Sequence, residues 1–192
     1  LIGQGLAYAE ADERAIFKIL TWRKDGLAPT SGAGFFIQPD GVALSNWHVL
    51  RDASKAEVQM TNGASLTIDS ILEVSTVLDL VRFKVRTGAL PVPFLSLASD
   101  SPPVGAPVRV IGYPLGHRAE TSGHILAVQD LLRYGAVLEI SAPITHGHNA
   151  VAHDCSSAWD SLRPATFSGA VIKPWKSTTT SRSDVAATRF WL

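Results

Sequence analysis

The sequence predicts an all-β protein. Short β-prone runs recur along the chain, each ended by a turn cluster. Two of those clusters, Pro39-Asp40-Gly41 and Asn62-Gly63, are hairpin signals with a mechanism: Pro presets φ, Asp bonds the local backbone and Gly accepts positive φ. No long amphipathic helical pattern appears before residue 145. The chain carries 15 Gly and 11 Pro in 192 residues, enough to turn many strands, and reads as a barrel or sandwich.

Residues 15–22 are β-prone and stop at Lys24-Asp25-Gly26, giving a first strand. Residues 31–50 organise the rest. Apolar runs at 34–37 and 42–44 flank Gln38-Pro39-Asp40-Gly41 and form a hairpin. Its second strand leads into Ser45-Asn46-Trp47-His48-Val49, which sets one imidazole just past a strand end. Residues 56–60 and 65–72 flank Thr61-Asn62-Gly63 as a second hairpin. Residues 76–85 come next as a strand built on Leu80, Val81, Phe83 and Val85, with Asp79 at its entrance. Ser101-Pro102-Pro103-Val104-Gly105 breaks the chain and marks an expected junction near 101–105. Beyond it, residues 108–113, 120–128 and 136–142 read as strands, the first turned by Gly112-Tyr113-Pro114-Leu115-Gly116.

Formal charge is zero, 17 basic against 17 acidic residues, so nothing in bulk electrostatics favours nucleic acid or an anionic membrane. No apolar run approaches the roughly 20 residues that span a bilayer. A single cysteine, Cys155, rules out an internal disulfide framework. Because the chain opens on Leu1, its true start is expected upstream. Residues 1–14 read as an N-terminal tail or the end of a signal peptide closing on Ala7-Tyr8-Ala9, a cleavage-like site that points to a periplasmic or secreted protein.

After Thr145 the pattern changes. Isoleucine, leucine and valine become sparse, Ser, Thr and Arg scatter without period, and residues 148–192 form an atypical tail. His146, His148, His153, Asp154 and Cys155 are dense enough to suggest zinc or copper, but their spacing matches no such motif, so exposed loop histidines are the favoured reading. No metal or other cofactor is expected.

The residues 32–48, Gly32-Ala33-Gly34-Phe35-Phe36-Ile37 through Asp40-Gly41 to Ser45-Asn46-Trp47-His48, resemble the catalytic-histidine hairpin of trypsin-like serine peptidases, the HtrA/Deg branch in particular. The resemblance makes His48 the general base. Asp79-Leu80-Val81 with Phe83-Lys84-Val85 resembles the strand whose Asp orients that imidazole. Val110-Ile111-Gly112-Tyr113-Pro114-Leu115-Gly116 and Glu120-Thr121-Ser122-Gly123-His124-Ile125-Leu126-Ala127 resemble scaffold segments of the second barrel. The likeness runs through residues 15–147 and implies a trypsin-like double β-barrel, with the second barrel incomplete or irregular after residue 147.

The likeness stops at the nucleophile. Ser141-Ala142-Pro143-Ile144-Thr145-His146-Gly147 matches the family's approach to its serine, and then Asn149 occupies the nucleophile slot, followed by Ala150. A His base cannot activate an amide to attack a carbonyl. Backbone N–H groups of Gly147 and Asn149 are the expected oxyanion pair. Ser168 lies too late and lacks the preceding Gly-x, and Cys155 is equally misplaced. The resemblance therefore implies a serine endopeptidase domain acting on polypeptide, its nucleophile absent from the expected position. The alternatives are a non-catalytic peptide-binding pseudoprotease and, because match and strand pattern fail together, a frame-shifted product expected to be poorly soluble and inactive. A His/Cys metal-binding protein ranks below both.

Overall fold

Alternation sets the first half. The computed structural model describes residues 13–89, 91–97, 102–131, 135–144, 151–152, 171–172 and 188–191. Strands β1 (Ile16–Trp22), β2 (Thr30–Phe36), β3 (Val42–Asn46), β4 (Lys55–Gln59), β5 (Ser65–Ser75) and β6 (Leu80–Val85) pair antiparallel in the order β1-β2-β3-β6-β5-β4. The Ile19–Val58 pairing returns β4 to β1 and closes a barrel. The expected turn forms between β2 and β3, with the Gly41 N–H donating to the Gln38 carbonyl at 3.2 Å.

Because successive side chains face opposite ways, β1 to β3 serve two cores. Phe17, Ile19, Phe36, Ala43, Val58, Val81, Phe83 and Val85 fill the barrel interior, each 0 % exposed. Phe17 sits at its centre, 4.7 Å from the Phe36 ring centroid and 6.4 Å from that of Phe83. Burying a ring of this kind contributes roughly 1.5–3 kcal/mol. The intervening residues, Ile16, Ala33, Phe35, Ile37, Val42 and Leu44, pack outward against Ile111 and Tyr113 of the second half. Both faces being covered explains why all of β3 is buried. Phe17 also explains Gly34, its partner across β1 and β2: a Cβ there would lie 2.6 Å from Phe17 Cε2.

The second half forms an open antiparallel sheet. Strands β7 (Pro107–Gly112), β8 (Ala119–Leu131), β9 (Gly135–Ile140), β10 (Val151–Ala152), β11 (Val171–Ile172) and β12 (Thr188–Trp191) stand in the order β10-β7-β8-β9-β12-β11. Val108, Val110, Ile125, Leu138, Ile140 and Ala142 make its core. A 3-10 turn at Pro114–Gly116 comes after β7. The fold is thus the trypsin-like one expected, a six-stranded barrel with an incomplete second sheet.

The strand read from Leu80, Val81, Phe83 and Val85 begins at Leu80, and Asp79 at its entrance holds a left-handed φ of 54° that ends extended structure. One expectation needs correction. The tail, read as atypical and without strand period, supplies three strands among the described residues: β10 on Val110 and Arg109, β12 along residues 137–140 of β9, and β11 on β12. Strands of two and four residues are too short to show a period of two.

Candidate active site

His48 and Asp79 come together through the register of two neighbouring strands. In the β3–β6 ladder Ser45 faces Val81 and Asn46 faces Leu80. The next residues out of each strand are the one-turn helix α1 (Trp47–Leu50) on one side and Asp79 on the other. His48 Nδ1 lies 2.6 Å from Asp79 Oδ2, and the His48 backbone N–H donates to Oδ1 at 2.8 Å. The carboxylate is thus held by ring and backbone of one residue.

Asp79 is buried, its side chain 9 % exposed, whereas that of His48 is 39 % exposed. This asymmetry suits a base open to a reacting group and an orienter shielded from water. An ionised carboxylate only accepts hydrogen bonds, so Nδ1–H is the donor in this contact. The left-handed backbone of Asp79 costs roughly 1–2 kcal/mol. Bonds to its main chain offset that cost: the Trp47 N–H donates to its carbonyl at 2.9 Å, and Asn46 Nδ2 reaches the same oxygen at 3.2 Å.

The segment expected to lead to the nucleophile is docked through residue 144. Thr121 Oγ1 donates to the Pro143 carbonyl at 2.8 Å, and the Ser141 N–H donates to the His124 carbonyl at 3.0 Å. The His124 N–H bonds Ser141 Oγ at 2.9 Å. Gly123 makes this docking possible: a Cβ there would collide with the backbone of Ala142 and come within 2.8 Å of Ser141 Oγ. Gly147 and Asn149 lie outside the described residues. So do Ala7-Tyr8-Ala9, Ser168, and the His146, His148, His153, Asp154 and Cys155 cluster.

The two halves are also tied by charge. Arg109 on β7 reaches Glu13, ahead of β1, at 2.6 Å and Glu120 on β8 at 2.7 Å. Arg118 meets the same carboxylates at 3.0 and 3.3 Å. The Arg109 hydrogen bond holds the Glu120 carboxyl below its ordinary range, and these carboxylates in turn raise the Arg109 guanidinium further. Motif reading pointed to His48 and Asp79. It did not reveal the Asn46 contact, whose only signal was its place beside His48 in Ser45-Asn46-Trp47-His48.

Among the described residues no helix is long and apolar enough to cross a membrane. Comparison with known proteins gives one consistent result. Residues 32–158 match the trypsin-like peptidase domain. Serine protease HTRA1 of Xenopus tropicalis is 29% identical over 116 residues, 59% of this chain and 25% of that protein. A probable periplasmic serine endoprotease, DegP-like, of Rickettsia conorii is 30% identical over 91 residues, 47% of this chain and 18% of its own. The chain thus spans a quarter or less of these relatives. A solved HtrA-type protease with tripeptide shares the fold, with a TM-score of 0.65 at 24% identity over 76% of this chain and 50% of that one. The chain belongs to the trypsin-like peptidase family and resembles its HtrA branch.

Proposed function

We propose that this chain is a serine endopeptidase domain in which His48 is the general base and Asp79 its orienter, and that as written it binds polypeptide without forming an acyl-enzyme. The observation that carries the first part is the 2.6 Å contact between His48 Nδ1 and Asp79 Oδ2. That contact fixes the tautomer in which Nε2 accepts a proton, and the carboxylate stabilises the imidazolium that results. The second part rests on Asn149 in the nucleophile slot. Base and orienter remain, but the group they would activate is an amide. Backbone N–H groups of Gly147 and Asn149 complete the proposed site as an oxyanion pocket, continuing the docked segment that ends at Ile144. The proposed domain covers residues 15–147, its two sub-barrels meeting near 101–105, and the periplasmic relatives support export.

A fluorophosphonate probe tests this reading. The folded chain should not be labelled. Labelling that disappears in His48→Ala would reveal an active serine and overturn it.

A specific observation favours a frame shift as the origin of the loss. Ala150-Val151-Ala152-His153 can be written GCG GTG GCC CAC. One A inserted after the Asn149 codon turns the same bases into AGC GGT GGC CCA, which is Ser-Gly-Gly-Pro. The next bases, for Asp154-Cys155-Ser156-Ser157-Ala158-Trp159, then permit Arg-Leu-Leu-Ile-Gly-Val, a strand-like apolar run. The restored serine falls one position beyond the slot of Asn149. In this reading the tail is a wrong-frame translation of a closing strand, and the intact gene encodes an endopeptidase. Sequencing the coding DNA decides it: bases that spell Ser-Gly-Gly-Pro in the shifted frame are expected, and any others there sink the idea.

A further inference from the structure

We infer that Asn46 is a positioning residue for the His48–Asp79 pair: its side-chain amide clamps the left-handed backbone of Asp79 and so aims the carboxylate at the imidazole. The inference rests on the reading of His48 as base and Asp79 as orienter.

Three consecutive residues hold Asp79, each by a different group. Asn46 donates its Nδ2 to the Asp79 carbonyl at 3.2 Å, Trp47 donates its backbone N–H to the same oxygen at 2.9 Å, and His48 donates its backbone N–H to Oδ1 at 2.8 Å. The carbonyl contacts fix the orientation of the peptide plane after Asp79, and the Oδ1 contact fixes the carboxylate plane. A non-glycine residue at φ 54° persists only where its surroundings over-determine it. Were Asp79 to relax into the extended region, its Cβ would swing and Oδ2 would leave Nδ1.

Burial strengthens the case. Asn46 is 2 % exposed and Asp79 6 %, so the amide works where water competes little for the carbonyl. Its position comes from the ladder, since Asn46 stands opposite Leu80, the residue after Asp79. The geometry gives Asn46 a role distinct from that of its neighbour Ser45, which is 3 % exposed and spends its hydroxyl on the Ala33 carbonyl at 2.7 Å.

That neighbour supplies the control. Asn46→Ala and Ser45→Ala each remove a buried side-chain hydrogen bond from β3, and Asn46→Ala leaves the Asp79 carbonyl its bond from Trp47. Side-chain 15N NMR on the full chain, at a pH where His48 is neutral, reads which ring nitrogen carries the proton. The unmodified chain and Ser45→Ala should both show the Nδ1–H tautomer alone. Asn46→Ala should show a mixture containing the Nε2–H tautomer, together with faster exchange of the His48 backbone amide. An unchanged tautomer in folded Asn46→Ala overturns the inference, whatever the loss in melting temperature. Should Asn46→Ala not fold, Asn46→Ser, whose hydroxyl is too short to reach that carbonyl, replaces it with the same expected and overturning results. An unmodified chain without the Nδ1–H tautomer would instead refute the base-and-orienter reading itself, so the two failures are separable.

Discussion

Both sheets have six antiparallel strands, yet they end differently: β4 returns to β1 across residues 55–59, while the second sheet runs out into β10 and β11, each a two-residue strand. The closed barrel has no free edge, and its Phe36 and Phe83 rings both pack on Phe17. The open sheet has an edge on either side and a core of smaller Val, Ile, Leu and Ala side chains among the described residues. The difference teaches that strand-forming pattern and strand closure are separate requirements. Residues 107–142 are patterned as well as residues 16–85, and still, among the described residues, the short strands of the tail do not close the sheet they begin.

On the proposed reading, base and orienter belong to the closed half and the nucleophile slot follows the open one. The strongest test of the contrast is therefore catalytic. In a chain with Ser-Gly-Gly-Pro restored after Asn149, Asp79→Asn should lower turnover of a fluorogenic peptide by on the order of 10⁴, because the wrong tautomer then faces the serine. Turnover within a few-fold of the parent would show that the first barrel does not hold the orienter.

Next in size is Phe17→Ala. Emptying the barrel centre should cost about 3–5 kcal/mol in urea unfolding, with loss of amide protection across β1, β3 and β6. Ile140→Val in the open sheet should cost about 0.5–1.5 kcal/mol and leave those amides protected. Equal losses would erase the distinction between the halves.

Gly123→Ala probes the seam between patterned and unpatterned sequence. A Cβ against Ala142 should cost about 1–3 kcal/mol and speed exchange of the Ser141 amide, now bonded to the His124 carbonyl. Unaltered exchange would mean that the segment is not seated on β8.

The smallest effect is electrostatic. Arg109 depresses the Glu120 carboxyl and Lys84 depresses that of Asp40, so each pair adds stability above the unfolded carboxyl values and loses it as pH falls through the folded ones. Arg109→Gln should lower stability at pH 7 by about 1 kcal/mol or less and flatten the acid limb below about pH 4.3. Lys84→Gln should change it less, since Asp40 is 60% exposed. A steeper acid limb in Arg109→Gln would reverse the assigned sign.

Legibility in the sequence divides along the same line. The first hairpin was legible because Gly34, Pro39-Asp40-Gly41 and alternating apolar residues agree on one structure. His48 and Asp79 were found by family likeness, not by periodicity, since a lone His and a turn Asp carry little signal of their own. The left-handed φ of Asp79 and the clamp from Asn46 were hidden, as they depend on the register between β3 and β6, which pairs residues 34 to 42 positions apart. The strands of the tail were hidden for a simpler reason: two residues cannot display a pattern.

The closed barrel is complete by Val85, well before the tail is reached. On a ribosome, where domains form from the N-terminal end as synthesis proceeds, this half can finish folding while the codons after Asn149 are still untranslated. A message damaged there would leave the strands that carry His48 and Asp79 untouched, with the two side chains still facing each other.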